Sequence, residues 1–460
     1  MEQQMERDIK LQYKVDDSPA LTISLLLGFQ NILTAFGGIV AVPLILGGMA
    51  GFGVRDTAYL VSAALLASGI NSIIQSRGIG PKSFRVGSGL PTIMGTDFGF
   101  VAPANAIINN MGGGMAGYYG AAMLGAVLEM ILSYFIKPLM KFFPPVVTGT
   151  VIALIGMTLM PVAFDWAAGG VGAENFGAPI NLLIAVGVFL IILLLNHYGS
   201  PIISSAAVLI GIVIGYIVCI PLNMVDFSQV KAAAWFELPS LFKFGVDFNP
   251  KFVVPFIAGY LVTVIETVGV VQTIAEVTDT PVNNDIIARG VRADGFGSFI
   301  SPIIGSGPVA TFSQNAGLIP LTKCASRSVA IMAGILLILI SFFPKLATIV
   351  SIMPQPVLGG AGILMFGTVA AAGINSLSKV RFNNRNLLII ASAMSVGLAV
   401  TFGSEVVAQL DGFIGALFSS GISAGTIVAL VLNIILKEKK EASPAAETAA
   451  DELVEVTTTV

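Results

Sequence analysis

The sequence predicts an all-α polytopic membrane protein of fourteen membrane segments, laid out as seven plus seven with the second half inverted. Three observations lead there. Of 460 residues, 55% are hydrophobic and only 11% charged, with a mean hydropathy of +0.90, more apolar surface than a soluble chain of this size needs. Apolar runs of roughly 17–25 residues recur along the chain, each long enough to cross about 30 Å of hydrocarbon as a helix. With both termini on the cytoplasmic side, 18 of the 23 Lys and Arg residues fall on that side, leaving Arg55, Lys231, Lys243, Lys251 and Lys345 opposite. A barrel would alternate along each strand, whereas runs such as Leu182–Leu195 are apolar throughout.

Taken in order, unbroken spans are expected near 21–48, 57–76, 116–136, 145–164, 180–196, 202–221, 252–272, 328–343, 386–402 and 412–436. Four apolar regions interrupted by Gly and Pro complete the set, at 86–108, 286–304, 308–322 and 346–374. The first twenty residues are too polar for a cleavable signal, so the first apolar run should remain a span. An odd-numbered repeat must sit upside down relative to its partner, an arrangement common in transporters. Its sign here is a pair of breaks, Gly87-Ser88-Gly89-Leu90-Pro91 and Gly305-Ser306-Gly307-Pro308, followed by Thr96-Asp97 and Gln314-Asn315. Broken half-helices expose backbone groups that only protein, water or a bound solute can satisfy.

Polar residues at membrane depth are the candidate site. Glu266 lies within Phe256–Thr273, which holds no other charge, and an ionised carboxylate there costs at least about 2.5 kcal/mol. It could accept hydrogen bonds from ring N–H groups of a solute, or hold a coupling proton; the bland reading is a snorkelling or paired acid. Asp294 follows Arg289 and Arg292 and could be a solvated ion-pairing acid. Asp97, among Gly95, Thr96 and Gly99, could cap a half-helix or touch solute. Gln314 and Asn315 can read a heterocycle edge or bond a neighbouring helix, and Gln30 and Asn31 carry the same ambiguity. The single histidine, His197, falls in an expected short loop and is read as exposed.

Several classes are excluded by pattern. Net charge is -3, but Glu441, Glu447, Asp451, Glu452 and Glu455 crowd the last twenty residues, and nothing points to nucleic acid. Cys219 and Cys324 make neither a metal set nor a disulfide framework. There is no Gly-Lys-Ser/Thr phosphate loop and no Ser-His-Asp set, so the chain is expected to be no enzyme, with no metal and no cofactor.

The run Gln314-Asn315-Ala316-Gly317-Leu318-Ile319-Pro320-Leu321-Thr322-Lys323 resembles the signature of the nucleobase–ascorbate transporter family, Gln/Glu-Asn-x-Gly-x4-Thr-Arg/Lys/Gly. Gln30-Asn31, the break ending in Asp97-Phe98, Glu266 and Arg292-Ala293-Asp294-Gly295 fall in the family's order, and the match covers roughly residues 20–436. The resemblance implies a core domain at 21–136 and 252–343 and a gate domain at 137–251 and 344–436. A cytoplasmic segment at 1–20 and a disordered acidic cytoplasmic tail at 437–460 flank them. It implies half-helices with short β-like stretches at the solute site, and a homodimer through the gate in the cytoplasmic membrane.

By the same resemblance, Glu266 and Gln314 hold a nucleobase through side chains, and the backbones of Phe98 and Ser313 add hydrogen bonds, with the Phe98 ring stacking nearby. Asp97 and Asn31 join the substrate contacts, Asp294 assists coupling to H+ (Na+ being the alternative), and Asn315 braces the half-helix beside the motif residues Gly317 and Thr322. Uracil carriers of the family place Glu where Gln314 stands, whereas xanthine and urate carriers place Gln, so an oxidised purine is the expected solute. The chain departs from the family at Asn31, usually His, at Val270, a His in uracil carriers, and at Asp97, usually a small or amide residue.

Overall fold

A computed structural model describes residues 11–81, 84–407, 410, 414–415, 418 and 420–436; the first ten residues and the acidic tail from 437 lie outside the described residues. The chain is helical almost throughout. The longer helices are α1 (Leu21–Met49), α2 (Val54–Arg77), α3 (Gly114–Tyr134), α4 (Pro145–Ala167), α5 (Pro179–Tyr198), α6 (Ala207–Cys219) and α7 (Pro250–Val277). They continue as α8 (Asn284–Ile300), α9 (Arg327–Ser341), α10 (Pro344–Ser351), α11 (Gln355–Leu377), α12 (Asn384–Phe402) and α13 (Gly421–Ile435). Among the described residues, eight helices are long and apolar enough to span a membrane, or nine if the bent pair α9–α10 counts as one span.

Local chemistry sets the boundaries. Proline opens α4, α5, α7, α10 and α11 within the first two positions, where no intrahelical donor is lost. Asn249, Asn283 and Asn383 cap α7, α8 and α12, each side chain accepting a first-turn backbone N–H at 2.9–3.1 Å. The 85° bend between α9 and α10 falls at Pro344, because the residue before a proline is steered away from helical geometry.

Two expected interruptions resolve differently. The region 286–304 holds the continuous helix α8, closed by a 3₁₀ turn at Ser301–Ile304 and by Gly305 in the left-handed region (φ +86°). The region 346–374 is divided ahead of Pro354, so that α10 is a stub and α11 runs unbroken over 23 residues. The last expected span, 412–436, is a 15-residue helix where it is described.

The breaks at 86–108 and 308–322 do occur, and they meet. Strand β1 (Met94–Thr96) pairs antiparallel with β2 (Val309–Thr311), with Met94 opposite Thr311, Gly95 opposite Ala310 and Thr96 opposite Val309. Flanking bonds from Asp97 N to Pro308 O (3.0 Å) and from Phe312 N to Ile93 O (2.9 Å) extend the ladder. Each break thereby satisfies part of the other's backbone, as an extended segment buried inside a bilayer protein requires of its surroundings. Beyond β1 the chain turns into Phe98–Phe100 and the short helix Val101–Asn105; beyond β2 it turns into Ser313–Ala316 and Leu318–Thr322.

Small residues let the helices close around this centre. On α2 and α9, a Cβ at Gly69 would lie 2.6 Å from Gly334 O and one at Gly334 2.7 Å from Gly69 O. On α4 and α11, a Cβ at Gly156 would lie 2.3 Å from Ala370 N and one at Gly373 2.2 Å from Ala153 N. Backbone-to-backbone approach of this kind supplies the dispersion contact that holds helices together where lipid removes the hydrophobic drive.

Candidate functional site

Helix α7 packs against both breaks and carries the site on one face. Thr263 Oγ1 donates to Asp97 Oδ2 at 2.5 Å, and Asp97 Oδ1 accepts Gly99 N–H at 2.7 Å. Asp97 thus caps the turn after β1, the structural one of the two readings its sequence context allowed. One turn along α7, Thr267 donates to Asp294 Oδ2, while Asp294 Oδ1 accepts from Thr311 Oγ1 and Gln75 Nε2, both at 3.0 Å. Asp294 is fully buried and touches neither nearby arginine. Arg289 pairs with Asp285; Arg292 donates to Ser133 Oγ (3.1 Å) and Arg85 O (2.8 Å) and lies over the Tyr134 ring. Asp294 is therefore no solvated loop acid.

Glu266 sits between the two threonines, partly exposed, and makes no hydrogen bond among the described residues. Asp97 of the first break, Asp294 of α8 and Glu266 of α7 itself consequently meet along one stretch of that helix; donors within the protein hold the first two, and the Glu266 side chain has no hydrogen-bond partner among the described residues. From the second break, Ser313–Ala316 packs on both α7 and α1. Gln314 is exposed and unbonded, its Nε2 lying over Gly38 of α1, whereas Ser313 is half-buried. Phe98 meets Phe366 of α11 edge-on, with ring centroids 5.3 Å apart.

The remaining candidates brace the frame. Asn315 Nδ2 donates to Asn31 O (3.0 Å) and Asn31 Oδ1 (3.1 Å), and Asn31 Nδ2 donates to Leu27 O, so this pair locks the second half-helix to α1. Gln30 Nε2 donates to Ser205 Oγ at 2.9 Å, bonding α1 to the turn before α6. Thr322 Oγ1 closes on Leu318 O, and Gly317 is exposed between the two short helices. His197 is exposed in the last turn of α5.

Gln75 was not a candidate from the sequence, yet it stitches the centre. Fully buried on α2, it accepts Ser88 N–H at Oε1 (2.8 Å) and donates from Nε2 towards Asp294 Oδ1, Thr311 Oγ1 and Gly290 O. It therefore links the first break to the second. The available signals were a carboxamide in an apolar span and the threonines 263 and 267, which flank Glu266 and share one helix face with each other. A cavity of about 330 Å³ lies away from these groups, where the start of α2 meets the 229–243 connection.

A profile described as the Permease family matches residues 22–406. The chain belongs to the Permease family. This permease is 52% identical over 431 residues to a Clostridium perfringens protein named as a purine permease, covering 94% of each. It is 38% identical to the uric acid transporter UacT of Escherichia coli, over 89% of this chain and 85% of that one. With the xanthine permease of Bacillus subtilis it shares 36% over 90% and 93% respectively. It is thus a multi-pass membrane transporter and not an enzyme. Among solved structures, the transmembrane domain of the cyanobacterial bicarbonate transporter BicA superposes with a TM-score of 0.62 at 14% identity, over 87% of this chain and all of that one. The anion transporter SLC26A9 superposes at 0.61 and 13%, over 91% of this chain and 66% of that one. Likeness at that identity speaks for the fold alone.

Proposed function

We propose that this permease takes up an oxidised purine, xanthine or uric acid, across the cytoplasmic membrane together with a proton. The observation that carries the reading is the unbonded Glu266 carboxylate between two satisfied ones, with the free carboxamide of Gln314 on the neighbouring half-helix. A carboxylate accepts ring N–H groups, and a carboxamide both donates and accepts, which suits a ring with alternating N–H and C=O edges. The Phe98 and Ser313 backbones complete the grip, and the Phe98 ring stacks beside the base. Asp294, held by the threonine next to Glu266, assists proton coupling, while Asp97 and Asn31 line the solute and Asn315 braces the half-helix. Relatives named for xanthine and uric acid support the solute class.

The finer architecture belongs to the same reading: fourteen segments in two inverted sets of seven, a core at 21–136 and 252–343, and a gate at 137–251 and 344–436. The antiparallel meeting of β1 and β2 is the contact expected of two inverted halves. Both termini face the cytoplasm, as the Lys and Arg bias requires, and two copies associate through the gate.

Labelled xanthine uptake into cells lacking their own carriers is expected, with urate competing, uracil competing weakly, and an uncoupler collapsing accumulation. Glu266→Gln is expected to abolish uptake; transport at the wild-type rate by that variant would remove Glu266 from the mechanism. Collapse on removal of Na+ in place of the uncoupler would reassign the coupling ion, and base-independent anion current would indicate an anion exchanger on the same scaffold.

A further inference from the structure

Glu129 stands in the C-terminal half of α3 with no exposed surface, and neither of its carboxyl oxygens has a hydrogen-bond partner among the described residues. Positions 125, 129 and 133 lie on one helix face, and the neighbours of the outer two locate the middle one. At Gly125 a Cβ would lie 2.3 Å from the Tyr260 ring of α7, whose hydroxyl donates to Ala122 O at 2.6 Å. At Ser133 the hydroxyl accepts from Arg292 of α8 at 3.1 Å, and Met130 covers Gly295. Glu129 therefore enters the seam where α3, α7 and α8 converge, at the level of Asp294. The titratable and charged groups facing that seam are Tyr260 from α7 and Arg292 and Asp294 from α8, with Asp97 of the first break held on the same stretch of α7. Arg292 is committed to Ser133, Arg85 O and the Tyr134 ring, and Lys137 beyond the end of α3 is exposed.

A carboxylate ion in that position would have neither water nor a donor, and it would face further acids across the seam. Desolvation of an unpaired charge is among the costliest events in a protein interior, whereas the neutral acid avoids it. Asp97 and Asp294 differ in kind, because hydroxyls, an amide and a backbone N–H hold them. Resting on the proton-coupled reading above, we propose that Glu129 is a second proton-binding site, which passes its proton to Asp294 as the solute is released. One O–H bond breaks on Glu129 as one forms on the accepting carboxylate, which then gives up H+ to the cytoplasm; Glu129 recovers H+ from water that enters the seam only while the core moves against the gate, and no electrons change hands.

The test is made on purified permease in lipid vesicles with labelled xanthine. Wild-type protein first establishes both exchange at equal pH and accumulation driven by a pH gradient; wild type that exchanges but ignores the gradient sinks the coupled reading and this proposal with it. Glu129→Gln, permanently neutral and of equal size, is expected to keep exchange within about two-fold while losing gradient-driven accumulation at least ten-fold. Glu129→Asp should restore accumulation with a displaced pH profile. Wild-type accumulation with an unchanged pH profile in Glu129→Gln overturns the proposal, making Glu129 a permanently neutral packing group. Loss of exchange in both variants overturns it too, since the residue would then serve the fold.

Discussion

Gln314 leaves its carboxamide unbonded among the described residues, while the adjacent Asn315 commits its amide to Asn31, so one half-helix presents one free carboxamide and one bonded to α1. The same division recurs on α7, where Thr263 and Thr267 satisfy Asp97 and Asp294 and leave Glu266 free. A polar group that the protein already satisfies gains little from a ligand; an unsatisfied one gains a full hydrogen bond. Replacing Gln314 with Glu removes the donor half of the carboxamide and adds a second acid beside Glu266. Gln314→Glu is expected to weaken competition by xanthine at least ten-fold and to strengthen competition by uracil. An unaltered competition profile would show that specificity is decided elsewhere.

The two breaks act as elements because each supplies what the other's backbone lacks. Their closeness depends on Gly95, where an added Cβ would lie 2.2 Å from Phe312 Cζ, a distance no carbon pair accepts. Gly38 on α1 presses on the same ring, with its Cβ position 2.9 Å from Phe312 Cε2. Gly95→Ala is therefore expected to destabilise the folded protein by about 1–3 kcal/mol through overpacking, read as a lowered unfolding midpoint in detergent. Shrinking the ring with Phe312→Leu in the same chain should recover part of that loss. If the two changes add without compensation, the ring does not hold the strands in register.

At the scale of the molecule, several hydrogen bonds join the proposed moving parts, among them Gln30 Nε2 to Ser205 Oγ at 2.9 Å, with Thr34 Oγ1 reaching Ser205 O at 3.1 Å. Gln30 and Thr34 belong to the core range and Ser205 to the gate range. If transport moves one past the other, this contact must part in each cycle. Cysteines at 30 and 205, with Cys219 and Cys324 replaced by Ala, are expected to arrest uptake when joined by a short thiol-specific cross-linker and to regain it on reduction. Undiminished uptake by fully cross-linked protein would rule out relative movement at this contact.

Composition and periodicity determined that the chain lives in a bilayer as helices, since apolar length and charge placement answer directly to hydrocarbon thickness and depend on no distant contact. The breaks were legible for the same reason: Gly-Ser-Gly followed by Pro defeats a helix wherever it stands. So was Glu266, because a lone acid in an apolar run is conspicuous without partners, and Glu129 within 116–136 met that test equally. What only the tertiary structure decided was which polar groups are already satisfied. That Asp97 caps a turn, that Asp294 is held by Thr267, Thr311 and Gln75, and that Asn315 leans on Asn31 all depend on hydrogen bonds between segments distant in sequence. A carboxylate's identity is written in one residue, but its freedom to bind depends on the donors that folding brings to it.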